Sequence, residues 1–400
     1  MIVLSVVKPT KFKPVKWDGE SLEALKPGQS FLRFAGDHPD NAETGTIELK
    51  VELVQGDFDG ITDILFVGSN QSAAKLLGHK KGLLSGYTIE IAFDVVFGHG
   101  LRYTTEDLFE KGVGIIGLSQ KDKNALKTLE GQNNLLRLLL ELILPSKQEE
   151  MLRLATPSFL LIPNDGHNEN QSHFVGMPKG PLHTSVPKTA GNAALLHLAT
   201  LHLSGFERLP ELAHLKALLS FYIKATDTEN GWPETPDTYR VLNYEKGATL
   251  VANDAGNYES ASNFNCIPFL DLPRYDHSVL QLLNLSDDEQ EQYDALESTY
   301  KNVVLQDVEL PEERNKFLGY PDNVQGCVAY EAERIKNNRE YSDGIYIDAA
   351  DWRLILQISP YCKWFSFFDG FGDGTIYFMI RKKDLAVGNF DAVQVVVQNT

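Results

Sequence analysis

The sequence predicts an α+β protein in two parts: a separate N-terminal α+β domain, then a duplicated domain of mostly antiparallel strands with few helices. Three observations favour this class. Strand-like runs alternate with turn signals over the first 160 residues, and a Gly-Pro phrase and two strand-like runs recur beyond them. The length of 400 residues also exceeds what a single hydrophobic core usually serves.

The N-terminal part, residues 1–160, begins with an apolar run typical of a first strand and not of a signal peptide. Further strands are predicted for TIELKVELV (46–54), ITDILFVG (61–68) and YTIEIAFDVVFG (87–98), each bounded by Gly, Asp or Asn. Ser119 can cap a helix through KDKNALKTL, and NLLRLLLELILP (134–145) predicts a buried helix. The polar, turn-forming residues 161–172 predict a linker to the second domain.

The second domain, residues 173–400, shows signs of an internal duplication with copies at about 173–284 and 303–400. SHFVGMPKGP (172–181) resembles NKFLGYPDNVQG (315–326). LLHLATLHL (195–203) resembles RLILQISPY (353–361), and LLSFYI (218–223) resembles TIYFMI (375–380), both at an offset of 157 residues. Two such units can pack about a pseudo-twofold axis. Between them, Ser286 and Glu289 form a capping-box pattern that predicts a helix over 285–302.

Composition excludes several classes of protein. The net charge is −18, and 19 Lys and Arg stand against 34 Asp and Glu in residues 161–400. Such a surface repels phosphate backbones, so no nucleic-acid partner is expected. The most apolar helical segment is far shorter than the roughly 20 residues of a membrane span, so no membrane association is expected. The three cysteines contain no Cys-x-x-Cys pair and are typical of reduced thiols in the cytoplasm, the predicted location.

Four segments of the second domain carry a resemblance to a known family. FLGYPDNVQG, DWRLILQI, GDGTIYFMI and DLAVGNFDAVQVVVQ together resemble the YwqG-like family, bacterial proteins collected as the domain of unknown function DUF1963. The resemblance covers about residues 172–400 and implies a fold more than a function, because no activity is generally established for the family. The chain departs from the pattern in having Asn315 where relatives often carry His, and Phe371 where they carry Trp. A mechanism that needs an imidazole at position 315 is therefore not expected.

Strand alternation in the second copy predicts a polar face. It places Arg353, Ile355 and Gln357 on one side and Trp352, Leu354, Leu356 and Ile358 on the other. In the next strand Tyr377 lies on the side of Thr375 and Met379, so the two polar sides would align beside the Asp373 turn. The aromatic segment YCKWFSFFDGFG, with Trp364, predicts an exposed rim that anchors partners. The candidate binding residues are Asn315, Tyr320, Arg353, Gln357, Trp364, Asp373 and Tyr377.

The same residues also admit a purely structural interpretation, in which they stabilise the fold and bind no ligand. Gln357 and Arg353 can instead satisfy loop carbonyls and neighbouring carboxylates. The Asp-Gly segments at 56–63 and 369–374 favour turns over calcium loops, and His197 and His202, five apart on a strand, would point to opposite faces and form no metal pair. There is no nucleophile elbow and no phosphate-cradling loop, and Cys362 has no histidine near it in sequence. No metal or cofactor is therefore predicted.

These patterns favour a binding module for a protein or ligand, for instance an immunity-type protein that masks a basic toxin surface. The alternative is a hydrolase-like enzyme that uses paired carboxylates, Asp373 with Asp369 or Asp351, in the cleft between the two copies. A scaffold without a ligand is the third reading.

Overall fold

The structure of the chain is a computed structural model. It describes residues 2–14, 31–32, 42–55, 61–67, 74–81, 87–96, 103–104, 114–168, 171–181, 185–206, 209, 212–224, 235–244, 250–252, 260–305, 314–340, 344–359 and 374–399. The chain forms two compact units, one of Met1–Leu152 with Ser286–Val308 and one of Arg153–Leu285 with Glu309–Thr400. The predicted linker, residues 161–172, belongs to the second unit.

The first unit contains a six-stranded antiparallel sheet in the order β4, β8, β1, β3, β6, β5 and a separate two-stranded pair of β2 and β7. Its strands are β1 (Ile2–Pro14), β2 (Phe31–Leu32), β3 (Ala42–Gln55), β4 (Ile61–Val67), β5 (Ala74–Lys81), β6 (Tyr87–Val96), β7 (Tyr103–Thr104) and β8 (Gly114–Ser119). The three strand runs predicted from sequence in this part of the chain correspond to β3, β4 and β6.

Three helices of the first unit begin at side-chain caps, which satisfy backbone N–H groups that have no intrahelical partner. They are α1 (Gln120–Ala125), α2 (Leu129–Ile143) and α5 (Asp287–Val304). Ser119 and Ser286 each complete a capping box, with Asp122 and Glu289 respectively, which confirms the predicted caps. The helix predicted through residue 129 ends early, because Thr128 caps a new helix. The short α3 (Gln148–Leu154) crosses the unit boundary along the chain.

The second unit is built on a ten-stranded antiparallel sheet in the order β14, β13, β12, β10, β16, β9, β17, β18, β19, β20. This confirms the predicted predominance of antiparallel strands with few helices for the part of the chain described. The strands are β9 (Thr156–Pro163), β10 (His173–Phe174), β11 (Lys179–Pro181), β12 (Leu196–His202), β13 (Leu218–Ile223), β14 (Tyr239–Tyr244), β15 (Leu250–Ala252), β16 (Ser262–Asp271), β17 (Lys316–Phe317), β18 (Trp352–Ile358), β19 (Thr375–Arg381) and β20 (Gln394–Gln398).

The sheet is nearly closed on itself. Tyr239, at the start of edge strand β14, donates its hydroxyl to the Val393 carbonyl just before the other edge strand, β20, at 3.0 Å. The short helices of the unit are α4 (Ser278–Gln281), α6 (Val328–Asn337), α7 (Ile345–Ala349) and α8 (Lys382–Leu385), and β11 pairs with β15 outside the large sheet. Among the residues described, no helix combines the length and hydropathy of a membrane span.

The two halves of this sheet share local irregularities. β10 and β17 are both two residues long, and each runs into two residues of positive φ, Val175 (47°) and Gly176 (78°) in one half and Leu318 (62°) and Gly319 (85°) in the other. Register shifts occur between His197 and Ala199 in β12 and between Leu354 and Leu356 in β18, at the 157-residue offset seen in the sequence.

The core of the second unit lies on both faces of the sheet. On one face Phe159, Phe206 and Phe317 pack ring against ring, and Phe221 meets Phe378 edge to face at 5.2 Å. On the other, α6 packs against β18, β19 and β20 through a cluster that includes Val328, Ala332, Trp352, Leu354, Tyr377, Met379 and Val396. Both faces of this part of the sheet are therefore filled by protein.

Candidate functional site

A β-bulge changes the predicted polar face of β18. The register shift between Leu354 and Leu356 breaks the strict alternation of side chains, so that Gln357 pairs with Tyr377 while Arg353 pairs with Ile380. The prediction that Arg353, Ile355 and Gln357 share one face is therefore wrong. A register shift at the equivalent place in β12 puts His197 on the same side as Thr200 and His202, and its Nε2 lies 2.8 Å from the Thr200 hydroxyl. The prediction that His197 and His202 point to opposite faces is therefore wrong.

Gln357 and Tyr377 converge on Asp322. The Gln357 amide oxygen accepts from the Asp322 backbone N–H at 2.9 Å, and its Nε2 donates to the Arg314 carbonyl at 2.9 Å and to the Asp322 carboxylate at 3.2 Å. The Tyr377 hydroxyl donates to the Asp322 carbonyl at 2.7 Å. Burial raises the pKa of Tyr377 well above its ordinary value. Both side chains thus hydrogen-bond to backbone groups of nearby loops, which is the role that the structural interpretation gave to Gln357.

Lys316 occupies the centre of the site as a buried cation. Only 2% of its side chain is exposed, and its Nζ lies 3.0 Å from Asp271 Oδ2 and 3.1 Å from Asp322 Oδ1. A charge this deep is tolerated only when it is paired and hydrogen-bonded. The Asp271 Oδ2 also accepts from the Tyr320 backbone N–H at 2.9 Å, so Lys316 and its two carboxylate partners hold the turn over residues 318–322 at Tyr320 and at Asp322.

The turn itself depends on Gly319. Its φ of +85° lies in the left-handed region, and a Cβ there would come within 2.6 Å of Asp271 Oδ2 and 2.7 Å of Ser158 Oγ. Ser158 donates its hydroxyl to the Leu318 carbonyl at 2.9 Å. Glycine is thus required both by the backbone angle and by the close approach of the ion-paired carboxylate.

Beyond the turn, side chains from several elements hold the 322–326 loop. Gln398 accepts from the backbone N–H groups of Val324 (2.8 Å) and Gln325 (3.1 Å) and donates to the Gly326 carbonyl (2.9 Å). Arg274 donates to the Asn323 carbonyl at 2.8 Å, while the Asn323 side chain donates to Asp276 at 2.9 Å and accepts from the Val328 N–H at 3.2 Å. Residues 324–326 are nevertheless exposed to solvent.

Arg353 and Tyr320 lie at the margin of this network. The Arg353 guanidinium sits 5.6 Å from the centre of the Tyr320 ring, which meets the His277 ring edge to face at 4.9 Å. The Tyr320 hydroxyl donates to the Leu154 carbonyl at 2.7 Å, and burial raises its pKa to about 12. Burial lowers the pKa of His277 to about 3, helped by the charges of Arg353, Lys316 and Lys382, so the imidazole is neutral. Its Nδ1 accepts from the Val279 N–H and caps α4.

The corresponding place in the other half of the sheet holds histidines. His173 occupies the strand position that matches Lys316, and its ring lies 5.7 Å from that of His197. His197 Nε2 contacts the Thr200 hydroxyl at 2.8 Å, and Thr200 contacts the Ser220 hydroxyl at 3.1 Å. Burial, with the neighbouring His173, lowers the pKa of His197 to about 3. In the described part of the chain, no group of three His, Cys, Asp or Glu side chains is placed to hold a metal ion.

Five of the seven predicted site residues thus lie in or beside one network: Asn315, Tyr320, Arg353, Gln357 and Tyr377. Asn315 is buried, and its side chain accepts from the Ser359 backbone N–H at 2.9 Å. Trp364 and Asp373 lie outside the described residues, as do Asp369 and Cys362. Asp351, from the enzyme alternative, has 38% of its side chain exposed, with Oδ2 3.9 Å from Arg381 Nη1.

Sequence reasoning missed the residues that organise the site, Lys316, Asp271, Asp322 and Gln398. Lys316 and Asp322 stand within the motif NKFLGYPDNVQG, where the charge of Lys316 next to the apolar Phe317 and Leu318 was a usable signal. Asp271 lies 45 residues before Lys316 and Gln398 lies 72 residues after Gly326, and nothing local marks them.

Comparison with known proteins adds one assignment. Residues 172–398 match the family model described as Domain of unknown function (DUF1963). A search of curated proteins found no match.

Proposed function

The chain belongs to the DUF1963 family, and from this premise we propose that it is a binding module that recognises a protein with a basic surface through its 322–326 loop. The observation that carries the proposal is the way in which this loop is held. Gln357 of β18 and Gln398 of β20 accept from its backbone N–H groups, and Tyr377 of β19 donates to its Asp322 carbonyl. A loop fixed in this way loses little conformational entropy on binding, which favours affinity.

The polar groups of the network are also poorly suited to catalysis. Asp322 and Asp271 share the charge of Lys316, and Asp271 Oδ2 is further committed to the Tyr320 N–H. Gln357 is hydrogen-bonded to the Asp322 N–H and the Arg314 carbonyl, and Tyr377 to the Asp322 carbonyl. A general acid or base must be free to exchange a proton with a substrate. Recognition by the exposed outer side of the loop requires only that these groups keep the loop in place.

Charge supports a basic partner. The chain carries a net charge of −18, and most of the excess of acidic residues falls in the sequence from residue 161 onward. A field of this sign speeds the approach of cationic surfaces and repels copies of the same chain. An immunity-type role, in which the module masks a basic toxin surface, fits these properties.

We further propose that the ten-stranded sheet arose by internal duplication. Three correspondences support this: the mirrored strand order about the β9–β16 pair, the two positive-φ turns after β10 and β17, and the equivalent bulges in β12 and β18. β9, which precedes the first copy in the sequence, would then complete the second copy by pairing with β17 in the sheet. The exchange of His173 for Lys316 at one strand position would have given the two copies different polar networks.

Site-specific photo-crosslinking tests the binding function. A photoreactive phenylalanine analogue replaces Gln325 in one version of the full-length protein and Val387 in a control, both exposed positions of the second unit. In lysate of the native cells, the analogue at 325 should trap a discrete protein of positive net charge that the analogue at 387 does not trap. The purified partner should then bind the unmodified protein with an affinity that weakens as salt rises. Equal trapping at both positions, or an acidic partner, would refute the proposal.

A further inference from the structure

Four of the five exposed large apolar side chains in the described part of the chain surround one short helix, α4. They are Tyr275 (52% exposed), Leu282 (42%), Val324 (38%) and Ile347 (58%), whereas Val387 (74%) belongs to the turn after α8. Tyr275 and Leu282 flank α4 on either side, and Ile347 lies on α7, which packs against α4. Val324 follows Asn323, whose side chain donates a hydrogen bond to Asp276, the residue after Tyr275.

The helix that these side chains surround, α4, is held in place by burial and hydrogen bonds. Three residues of α4 are buried: Ser278, Val279 and Leu280. The neutral His277 ring caps the N-terminus of the helix. The Tyr330 hydroxyl of α6 donates to Gln281, which joins α4 to the helix that covers the sheet. Exposed apolar side chains on a fixed base, with a tyrosine among them, have the composition of the centre of a protein interface.

From this arrangement we infer that Tyr275, Leu282, Val324 and Ile347 form a docking patch for a protein segment whose apolar side chains are flanked by lysines or arginines. The inference rests on the proposed function and extends its site from the 322–326 loop to α4 and α7. The charge of the protein selects lysine or arginine as the residues that flank the apolar side chains of the partner. The chain is strongly acidic, and Glu340, between α6 and α7, is exposed. Of the cations near the four side chains, Arg339 is paired with the exposed Asp348 of α7, and Arg274, which lies over the Tyr275 ring, is 4.0 Å from Asp276. A second copy of the chain would bring like charges together, and a nucleic acid would meet apolar side chains and carboxylates.

Peptide display provides a test that does not require the natural partner. A random 16-residue library is selected on the full-length protein and counter-selected on the double variant Leu282→Ser, Ile347→Ser. The enriched peptides should carry apolar residues beside Lys or Arg, and the double variant should bind them at least about tenfold more weakly, as expected for loss of interface anchors. Val387→Ser, a matched exposed position, should leave the affinity unchanged. The absence of enrichment, or equal losses in both variants, would overturn the inference.

The same variants separate this inference from the function on which it rests. The partner trapped at position 325 is titrated against Gln325→Lys and against the Leu282→Ser, Ile347→Ser pair, with circular dichroism as a check on folding. Loss of binding in both supports the full patch. Loss with Gln325→Lys alone leaves the loop as the binding site and refutes the patch, while unchanged binding in both refutes the two proposals together. Self-association of the protein in sedimentation would identify a second copy as the occupant and contradict the stated partner chemistry.

Discussion

Lys316 is the central residue of the network that holds the 318–322 turn and the loop after it. Its partners Asp271 and Asp322 come from different segments of the chain. Asp271 also accepts from the Tyr320 backbone N–H of the turn, and the Asp322 carboxylate also accepts from Gln357 Nε2. Removal of one member of a buried ion pair typically costs about 3–5 kcal/mol, because the other charge is left uncompensated. The network is therefore structural at its centre, and its functional consequence is the fixed position of the loop that it supports.

Replacement of Gly319 by Ala should lower the free energy of unfolding by about 2 kcal/mol or more, since the new Cβ adds left-handed backbone strain and collides with Asp271 and Ser158. The matched control is Gly344→Ala, where φ is −87° and no atom lies within 4 Å of the added Cβ. The control should change stability by less than about 0.5 kcal/mol. Urea unfolding measures both variants, and equal effects would contradict this account of the turn.

Two buried histidines should make the protein less stable in mild acid. The pKa values of His197 and His277 are lowered to about 3 in the fold, while an unfolded histidine titrates near 6.5. Stability from each is therefore complete above pH 6.5 and falls as the pH drops toward 3, by about 1.4 kcal/mol per pH unit for each histidine. Replacement of His277 by Asn keeps a capping side chain at α4 and should reduce this slope. Identical slopes for wild type and variant in urea unfolding between pH 7 and pH 4 would refute the assignment.

At the scale of elements, the 322–326 loop is held mainly by strand side chains that reach beyond their own sheet. Gln357, Tyr377 and Gln398 come from three successive strands, β18, β19 and β20. Because the loop takes its order from these hydrogen bonds, loss of one strand side chain should loosen the loop while the sheet remains intact.

Replacement of Gln398 by Leu should accelerate hydrogen exchange at the Val324 and Gln325 amides, because both lose their acceptor. The expected cost in stability is about 1–3 kcal/mol. Gln394→Leu is the control. This glutamine lies on the same strand, its Nε2 donates to the Val395 carbonyl and its Oε1 accepts from the Tyr239 hydroxyl, neither of which belongs to the 322–326 loop. If exchange at residues 324 and 325 rises equally in both variants, Gln398 does not hold the loop.

The elements were easier to predict than the site. Ser286 and Glu289 predicted the start of α5 because a capping box is local chemistry, and the runs at 218–223 and 375–380 predicted β13 and β19 within one residue. The polar face of β18 was predicted wrongly at Arg353, because a one-residue bulge leaves no mark in an apolar sequence yet reverses which side chains share a face. Asp271 and Gln398 could not be found, since their partners are distant in sequence.

At the scale of the whole molecule, the repeated turns and bulges are consistent with one architectural unit used twice with different polar centres. The half with His173 and His197 contains two imidazole rings 5.7 Å apart, and the half with Lys316 contains buried ion pairs. The second half also borders the exposed side chains around α4. In this view the acidic chain uses the ten-stranded sheet as a rigid support, and recognition is concentrated at the 322–326 loop and the exposed side chains around α4.

Hydroxyl-radical footprinting of the complex with the crosslinked partner tests this claim most directly, because it reports the solvent exposure of individual side chains. Tyr275, Leu282, Val324 and Ile347 are all open to solvent in the free protein, and Val387 serves as an internal reference. The account predicts that oxidation of the first four falls on binding while oxidation of Val387 is unchanged. Protection of Val387 with continued oxidation of Tyr275 and Val324 would contradict it.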